Sequence, residues 1–172
     1  MSADVSCRIA WSDDSAAIAA LQTQAWRERY GAVVPEDFSV PAEQWHAALT
    51  KPGDARNRVL VALERNTIVG FTLTTPAADP DCEPGRDGEV SELTVASDKR
   101  GLGHGSRLVQ AAVETLQADR FVRAVCWVDS TDDAMRTFLE SAGWAPDGAH
   151  RTLATDDAGG ETKQVRLHTR IG

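Results

Sequence analysis

The sequence predicts an α/β domain, and three observations carry that class. Residues 57–76, "NRVLVALERNTIVGFTLTTP", hold two runs of Val, Ile, Leu and Thr around the turn residues "ERNT", the pattern of an antiparallel hairpin. Residues 89–129 pass from a strand pattern through a glycine-rich turn and an amphipathic helix into a second apolar strand, a strand, helix, strand unit. At 172 residues, 42% hydrophobic and 26% charged, the chain is sized for a single domain spanning 1–172 with its own core.

The remaining elements follow in order. "VSCRIAW" is a short first strand, and the side-chain oxygens of "SDDS" can cap a helix that begins near Asp13. That helix places Ile18, Leu21, Ala25 and Trp26 on one face and stops at Gly31. A loop carrying Tyr30, Val34 and Phe38 leads to a second helix in "PAEQWHAALTK", with proline in its first turn. After the hairpin, "AADPDCEPGRDG" is too rich in acid, proline and glycine to bury an element and reads as a mobile acidic loop. "EVSELTVAS" is a strand of imperfect alternation. "SRLVQAAVETLQAD" is a helix with Leu108, Ala111, Ala112 and Leu116 on one face, and "FVRAVCWVDS" a buried strand. "TDDAMRTFLESAGW" is a helix that Gly143 terminates, and "HRTLATDDAGGETKQVRLHTRI" closes the chain as a strand pair around "GG".

Charge and cysteine content narrow the function classes. The net charge of -8 comes without a dense Lys/Arg cluster, which argues against nucleic acid or an anionic bilayer as the main partner and suits a cationic acceptor. Cys7, Cys82 and Cys126 are odd in number and widely spaced, fitting neither a disulfide framework nor a metal knuckle, so a cytoplasmic setting is expected. No run approaches the roughly 18 apolar residues of a membrane span, and the first residues lack a signal-type apolar stretch.

The most informative stretch is "SDKRGLGHGSRLV", residues 97–109, with glycines at 101, 103 and 105. A turn between a strand and a helix start exposes unpaired backbone N–H groups that attract phosphate. Glycines there remove the Cβ atoms that would hold a diphosphate off and permit the φ values that aim several N–H groups at one oxygen cluster. The spacing is not that of the dinucleotide fingerprint, and no Gly-Lys-Ser/Thr follows as the P-loop requires.

Arg100-x-x-Gly103-x-Gly105 after "ELTVAS" resembles the acyl-coenzyme A loop of the GNAT-type N-acetyltransferases. "CWVDSTDDAMRTFLESAGW" is similar to the strand and helix that follow in that family, with Trp127, Val128, Phe138, Glu140, Gly143 and Trp144 in register, and "AWRERYGAVVPEDF" is similar to its first-helix segment. The resemblance implies a mixed, mostly antiparallel sheet whose middle strands, 89–96 and 121–129, splay apart to admit the acyl thioester. It implies acetyl-CoA as donor, a primary amine as acceptor, no metal, and a possible homodimer through edge strands. The diphosphate would sit on the amides of Gly101, Leu102, Gly103, His104, Gly105 and Ser106, with Arg100 adding charge; the pantetheine arm would follow the backbone of Leu93, Thr94 and Val95. Asp132 stands where the family often has Asn near the coenzyme; a carboxylate there must face away and cap its helix.

Acylation requires a neutral amine and hence a general base. Glu89, eleven residues before Arg100, matches the offset of a catalytic glutamate in several members, and Glu92 is the competitor; only one of them can face the acceptor groove unless the strand bulges. An amide near Leu93 to Val95 would hold the oxyanion. The tyrosine that usually protonates the thiolate falls at Leu139, so the acid is missing. Trp26 and Tyr30, the sole tyrosine, are candidates to line the acceptor site. His46 and His168 look isolated, Cys126 looks like core, and a non-catalytic acyl-CoA-binding or regulatory domain is the rival reading.

Overall fold

The computed structural model describes residues 4–31, 34–154 and 160–172. Strand β1 (Val5–Ile9) leads through a 3₁₀ turn to helices α1 (Ser15–Tyr30) and α2 (Ala42–Thr50). The hairpin β2 (Arg58–Glu64) and β3 (Thr67–Pro76) precedes β4 (Asp87–Val95), α3 (His104–Ala118), β5 (Arg123–Asp129), α4 (Asp133–Ser141), β6 (Ala145–Ala154) and β7 (Glu161–Arg170). All seven strands form one sheet in the order β1-β2-β3-β4-β5-β7-β6. Every neighbouring pair is antiparallel except β4 and β5, which are parallel because α3 carries the chain back between them. Among the described residues no helix is long and apolar enough to cross a membrane.

Strand alternation distributes the core over both faces. Val69, Val90, Cys126 and Leu167 point to the side where α3 and α4 supply Leu108, Ala112, Leu116 and Leu139. Val61 and Phe71 meet Ile18 and Trp45 of α1 and α2 on the other. Trp45 packs edge-on against Phe71 at 5.4 Å, and its indole N–H donates to Gln22 Oε1 at 3.0 Å, satisfying two buried polar groups together.

Three sequence expectations change in detail. Asp14 does not begin a solvent-facing cap: its buried carboxylate accepts from Arg8 at 2.7 Å and from the Trp11 N–H at 2.7 Å, and the helix proper starts at Ser15. The buried positions of α1 are Ile18, Ala19 and Gln22, while Ala25 and Trp26 are only half-buried, because the last turns of the helix extend past the hairpin core. β6 begins at Ala145, before the expected His150, and the turn expected around "GG" falls mainly on 155–159, outside the described residues.

The largest correction concerns the acidic segment 77–88, expected to be mobile, whose last two residues, Asp87 and Gly88, already belong to β4. Ala77 and Cys82 are buried against Val125. Arg166, on β7 with only 4% of its side chain exposed, donates to Asp79 Oδ2 at 3.0 Å, to Asp81 Oδ2 at 2.6 Å and to Asp147 Oδ2 at 2.6 Å. The acids thus exist to neutralise one buried cation from a distant strand. The Arg166 guanidinium holds the Asp81 carboxyl at about 2, below the usual carboxylate range.

Replacing Arg166 with Leu should strand half-buried Asp79 without its close counter-ion and leave Asp147 to Arg123 alone, at a cost of roughly 3 kcal/mol in chemical denaturation. The stability that the paired acids supply is present above the ordinary carboxylate value of about 4 and is lost as pH falls toward the lowered one. That acid-side loss should flatten in Arg166→Leu.

Candidate active site

The sheet opens where β4 and β5 part. They pair at Asp87–Arg123, Gly88–Ala124 and Glu89–Val125, and the register ends there. Three residues further along β4, Glu92 adopts φ +54° and the register with β3 slips, setting Glu92 and Leu93 together opposite Thr72. This bulge bends β4 away while β5 stays paired with β7 along its whole length. The gap continues into a groove of about 730 Å³ between β4, the first turn of α3, the start of α4 and the end of α1. Its size is that of a small-molecule cleft.

That groove collects almost every residue the sequence assigned to the donor: Leu93, Thr94, Val95, Arg100, Gly101, Gly103, His104, Gly105, Ser106 and Asp132. Leu102 stays outside it, 54% exposed at the loop tip. Gly101 and Gly103 take φ +76° and +86°, conformations that a Cβ would strain, whereas Gly105 is helical and only touches Phe138. α3 has no side-chain cap, and the Arg107 N–H is the first of its turn to reach a backbone acceptor, Gly103 O at 3.1 Å. The N–H groups before it point out of the helix start, beside Arg100 and Arg107. The His104 ring turns into the protein, buried, with Nε2 at 3.2 Å from Glu64 Oε2 and Nδ1 unpaired. Asp132 caps α4, accepting from the Met135 N–H at 3.1 Å, as a carboxylate at that position had to.

Local sequence could not have named Glu28 and Arg29 as part of this groove. Arg100 Nη2 meets Glu28 Oε2 at 2.7 Å across it, and Arg29 Nε lies 3.6 Å from Asp129 Oδ2 and beside the Tyr30 hydroxyl and Glu92. Trp26 stacks on Phe38 at 5.7 Å, while Arg27 donates to the carbonyls of Glu36 and Phe38, so the segment after α1 is held over the site.

Glu89 sits at the vertex of the split, half-buried, on the sheet face opposite α3. Burial first, and the negative charge of Asp79 second, push its carboxyl above the usual range, with Arg151 and Arg166 opposing. Leu139, 1% exposed, is core, and Cys126 is core with its thiol pushed up to about 12 by burial. His168 is not isolated: its Nδ1 accepts from Arg123 Nε at 3.1 Å.

A second cavity of about 460 Å³ is lined by Asp79, Asp81, Trp127, Arg151 and Arg166 among others, and three of these, Asp79, Arg151 and Arg166, are the charges that act on Glu89. Asp79, Asp81 and Cys82 cluster closely enough to suggest a cation site, but the cation there is Arg166 Nη1, 3.0 Å, 2.8 Å and 3.5 Å from their ligand atoms. The face of β7 that carries Gln164, Arg166 and His168 alternates with Val165 and Leu167, and that polar alternation in "KQVRLH" was the available signal.

Comparison with known proteins agrees with this geometry. The structure is similar to an N-acetyltransferase from Staphylococcus aureus (TM-score 0.80, 16% identity, 98% of this chain and 99% of that one). It is similar to a ribosomal-protein-alanine N-acetyltransferase from Brucella melitensis (0.79, 20%, 96% and 99%). It also resembles a Salmonella typhimurium protein proposed to be an acetyltransferase and solved with its cofactor acetyl-CoA (0.78, 18%, 98% and 94%). At these identities the likeness speaks for the fold. No curated protein matches the chain in sequence. Residues 16–144, most of the chain and including β2 to β5 with α3 and α4, match the model of the acetyltransferase (GNAT) family, and the protein belongs to that family.

Proposed function

We propose that this protein transfers the acetyl group of acetyl-CoA to a primary amine by direct attack, with Glu89 as general base. The observation that supports the reading is the β4–β5 split itself: its last shared pair carries a half-buried carboxylate, Glu89, whose charge is felt by Asp79, Arg151 and Arg166 of a second cavity, and beyond it β4 borders a groove that ends at the start of α3.

The residues present fit the donor. The diphosphate needs N–H donors and positive charge, which the start of α3, Arg100 and Arg107 offer. Glu28 competes for Arg100, but that pair is 57% and 33% exposed and worth under about 1 kcal/mol, so a doubly charged ligand displaces it at small cost. Leu93, Thr94 and Val95 have backbone groups on the open side of the split, suited to the pantetheine amides and to the oxyanion.

In the reaction the lone pair of the neutral amine forms the N–C bond, Glu89 takes the proton from the nitrogen of the adduct, and the C–S bond breaks to release the thiolate, which receives that proton from Glu89 through water and leaves as the thiol. Burial suits Glu89 to this work because it raises basicity toward the operating pH. Glu92 is the alternative base: its bulge removes the rule that only one of the two can face the site, and its charge reaches Arg29. No step calls for a metal ion. Trp26 and Tyr30, in the last turns of α1, are the residues proposed to line the acceptor's entrance; Trp26 stacks on Phe38 of the following segment, which Arg27 holds by its carbonyls. The rival reading, a domain that binds acyl-CoA without turnover, rests on Leu139 occupying the place of the family's acid.

Glu89→Gln should lower turnover about 100- to 10 000-fold while leaving acetyl-CoA affinity intact, read by thiol release and calorimetry. Full turnover in that variant, with loss in Glu92→Gln, would move the base to Glu92. Binding without thiol release from any amine would favour the regulatory domain. The acid limb of the pH–rate profile should lie above the usual glutamate value of about 4.3 and vanish in Glu89→Gln. Because the folded pKa is raised, the wild type loses stability as pH climbs through it. Glu89→Gln should therefore be the more stable protein at neutral pH and lose that advantage below about pH 4.

Gly103→Ala puts a Cβ at φ +86°, a strain of about 1–2 kcal/mol. Acetyl-CoA affinity should fall about tenfold, with little change in turnover at saturation.

A further inference from the structure

We infer that the acceptor is a small amine that also carries a carboxylate, an amino acid, and that Arg151 is the residue that binds its carboxylate. This deepens the proposed acetyl transfer and rests on it.

The cations of the acceptor cavity differ in how they are used. Arg166 is consumed by Asp79, Asp81 and Asp147. Arg123, behind it, is paired with Asp147 at 2.7 Å and lies 3.8 Å from Asp87. Arg151 has a different environment. Its guanidinium carbon sits over the Trp127 ring, 4.2 Å from the centroid, and its Nε donates to Gln164 Oε1 at 2.8 Å. Gln164 is buried and passes the constraint on, donating to Asp129 Oδ1 at 3.0 Å. Among the described residues the nearest acid to its Nη atoms is Asp79 Oδ1, at 4.0 Å, the outer limit of an ion pair. The guanidinium is thus restrained by the ring and by Gln164, 37% exposed at the cavity, and among the described residues no acid comes closer than 4.0 Å to its Nη edge, the edge that can bind a carboxylate two bonds at a time.

Preorganisation of this kind suits an anion: the aromatic platform and Gln164 have already restricted the side chain, so less is lost when a carboxylate docks. The rest of the cavity asks for the opposite charge. Asp81, 63% exposed, stands on its rim and Asp79 on its wall, and Arg151 is close enough to Glu89 for its charge to favour the ionised base. The inference puts the oxyanion on Arg151 in this space of about 460 Å³, with the amine directed toward Glu89, whose charge Arg151 already feels, and Asp81 partly exposed on the rim. A polyamine would bring a second cation against Arg151. A peptide N-terminus would leave Arg151 without a carboxylate near its amine.

The experiment compares each L-amino acid with its own α-amide, in which the carboxylate is masked and the amine kept. Two readouts run in parallel: kcat/KM by thiol release with acetyl-CoA, and calorimetric affinity for the CoA-loaded protein. The inference expects at least one amino acid to beat its amide by about 10- to 100-fold. It expects Arg151→Gln to collapse that ratio and Arg151→Lys, a point charge without the fork, to restore only part of it. Equal use of acids and amides by the wild type, or acetylation of peptides and polyamines alone, would overturn it. So would a preference that survives in Arg151→Gln. If acids bind selectively but no acceptor releases thiol, the carboxylate site stands and the acetyl-transfer reading falls. Should the Arg151 variants fail to fold, the ratio in the wild type still decides.

Discussion

The functional architecture depends on a pairing that stops. Parallel strands joined by a crossover helix ordinarily run side by side to a common end, with ligands at their carboxyl ends. Here β4 and β5 share three register pairs and separate after Glu89–Val125. The cause lies on the far edge of β4: the bulge opposite Thr72 turns that strand toward β3, while β5 is held straight by seven pairs with β7. Backbone groups that a continuous sheet would have consumed are left facing a groove, and the same divergence exposes the start of α3 at its mouth. Had the pairing continued to Val95, the sheet would have been tidier and the cleft absent.

The acidic balance of the chain acquires a local meaning from this fold. A net charge of -8 reads as solubility or as attraction for a cation, yet many of the acids near the site are spent internally on Arg8, Arg58, Arg123 and Arg166. Burying Arg166 requires three carboxylates to replace its hydration, and supplying them from the β3–β4 segment and from β6 ties both to β7. The floor and rim of the acceptor cavity are therefore one electrostatic unit. Its composition fixes which cations are spent and leaves Arg151 less so.

Legibility in the sequence followed the range of the interaction. Period-2 and period-3.6 patterns gave the hairpin, the strand, helix, strand unit and α4, because each is decided by neighbours within a dozen residues. Gly101 and Gly103 announced the loop because their φ values are demands that few other residues meet. Asp132 was assigned its cap from the helix start beside it. The acidic segment misled because its partner lies 85 to 87 residues away in Arg166, and the Glu28–Arg100 contact spans 72. The bulge at Glu92 escaped notice because nothing in "VSELTV" demands a positive φ of a glutamate; it arises from the register with β3. Composition alone cannot distinguish a solvated acid from one that neutralises a buried arginine.

The missing tyrosine at Leu139 weighs less than it first suggests, because the order of proton movements decides which group leaves. While the attacking nitrogen keeps its proton it is the easier group to expel and the addition reverses. Once Glu89 has taken that proton, loss of nitrogen would produce an amide anion, and the thiolate, from a thiol of pKa about 8.5, becomes the better leaving group. The base therefore commits the reaction forward and an acid only hastens its last step. Return of the proton from Glu89 to the departing sulfur through water then restores the base. A buried leucine at 139 is compatible with turnover on these terms, and the proposed mechanism puts its whole catalytic demand on one carboxylate, Glu89, at the vertex of the split.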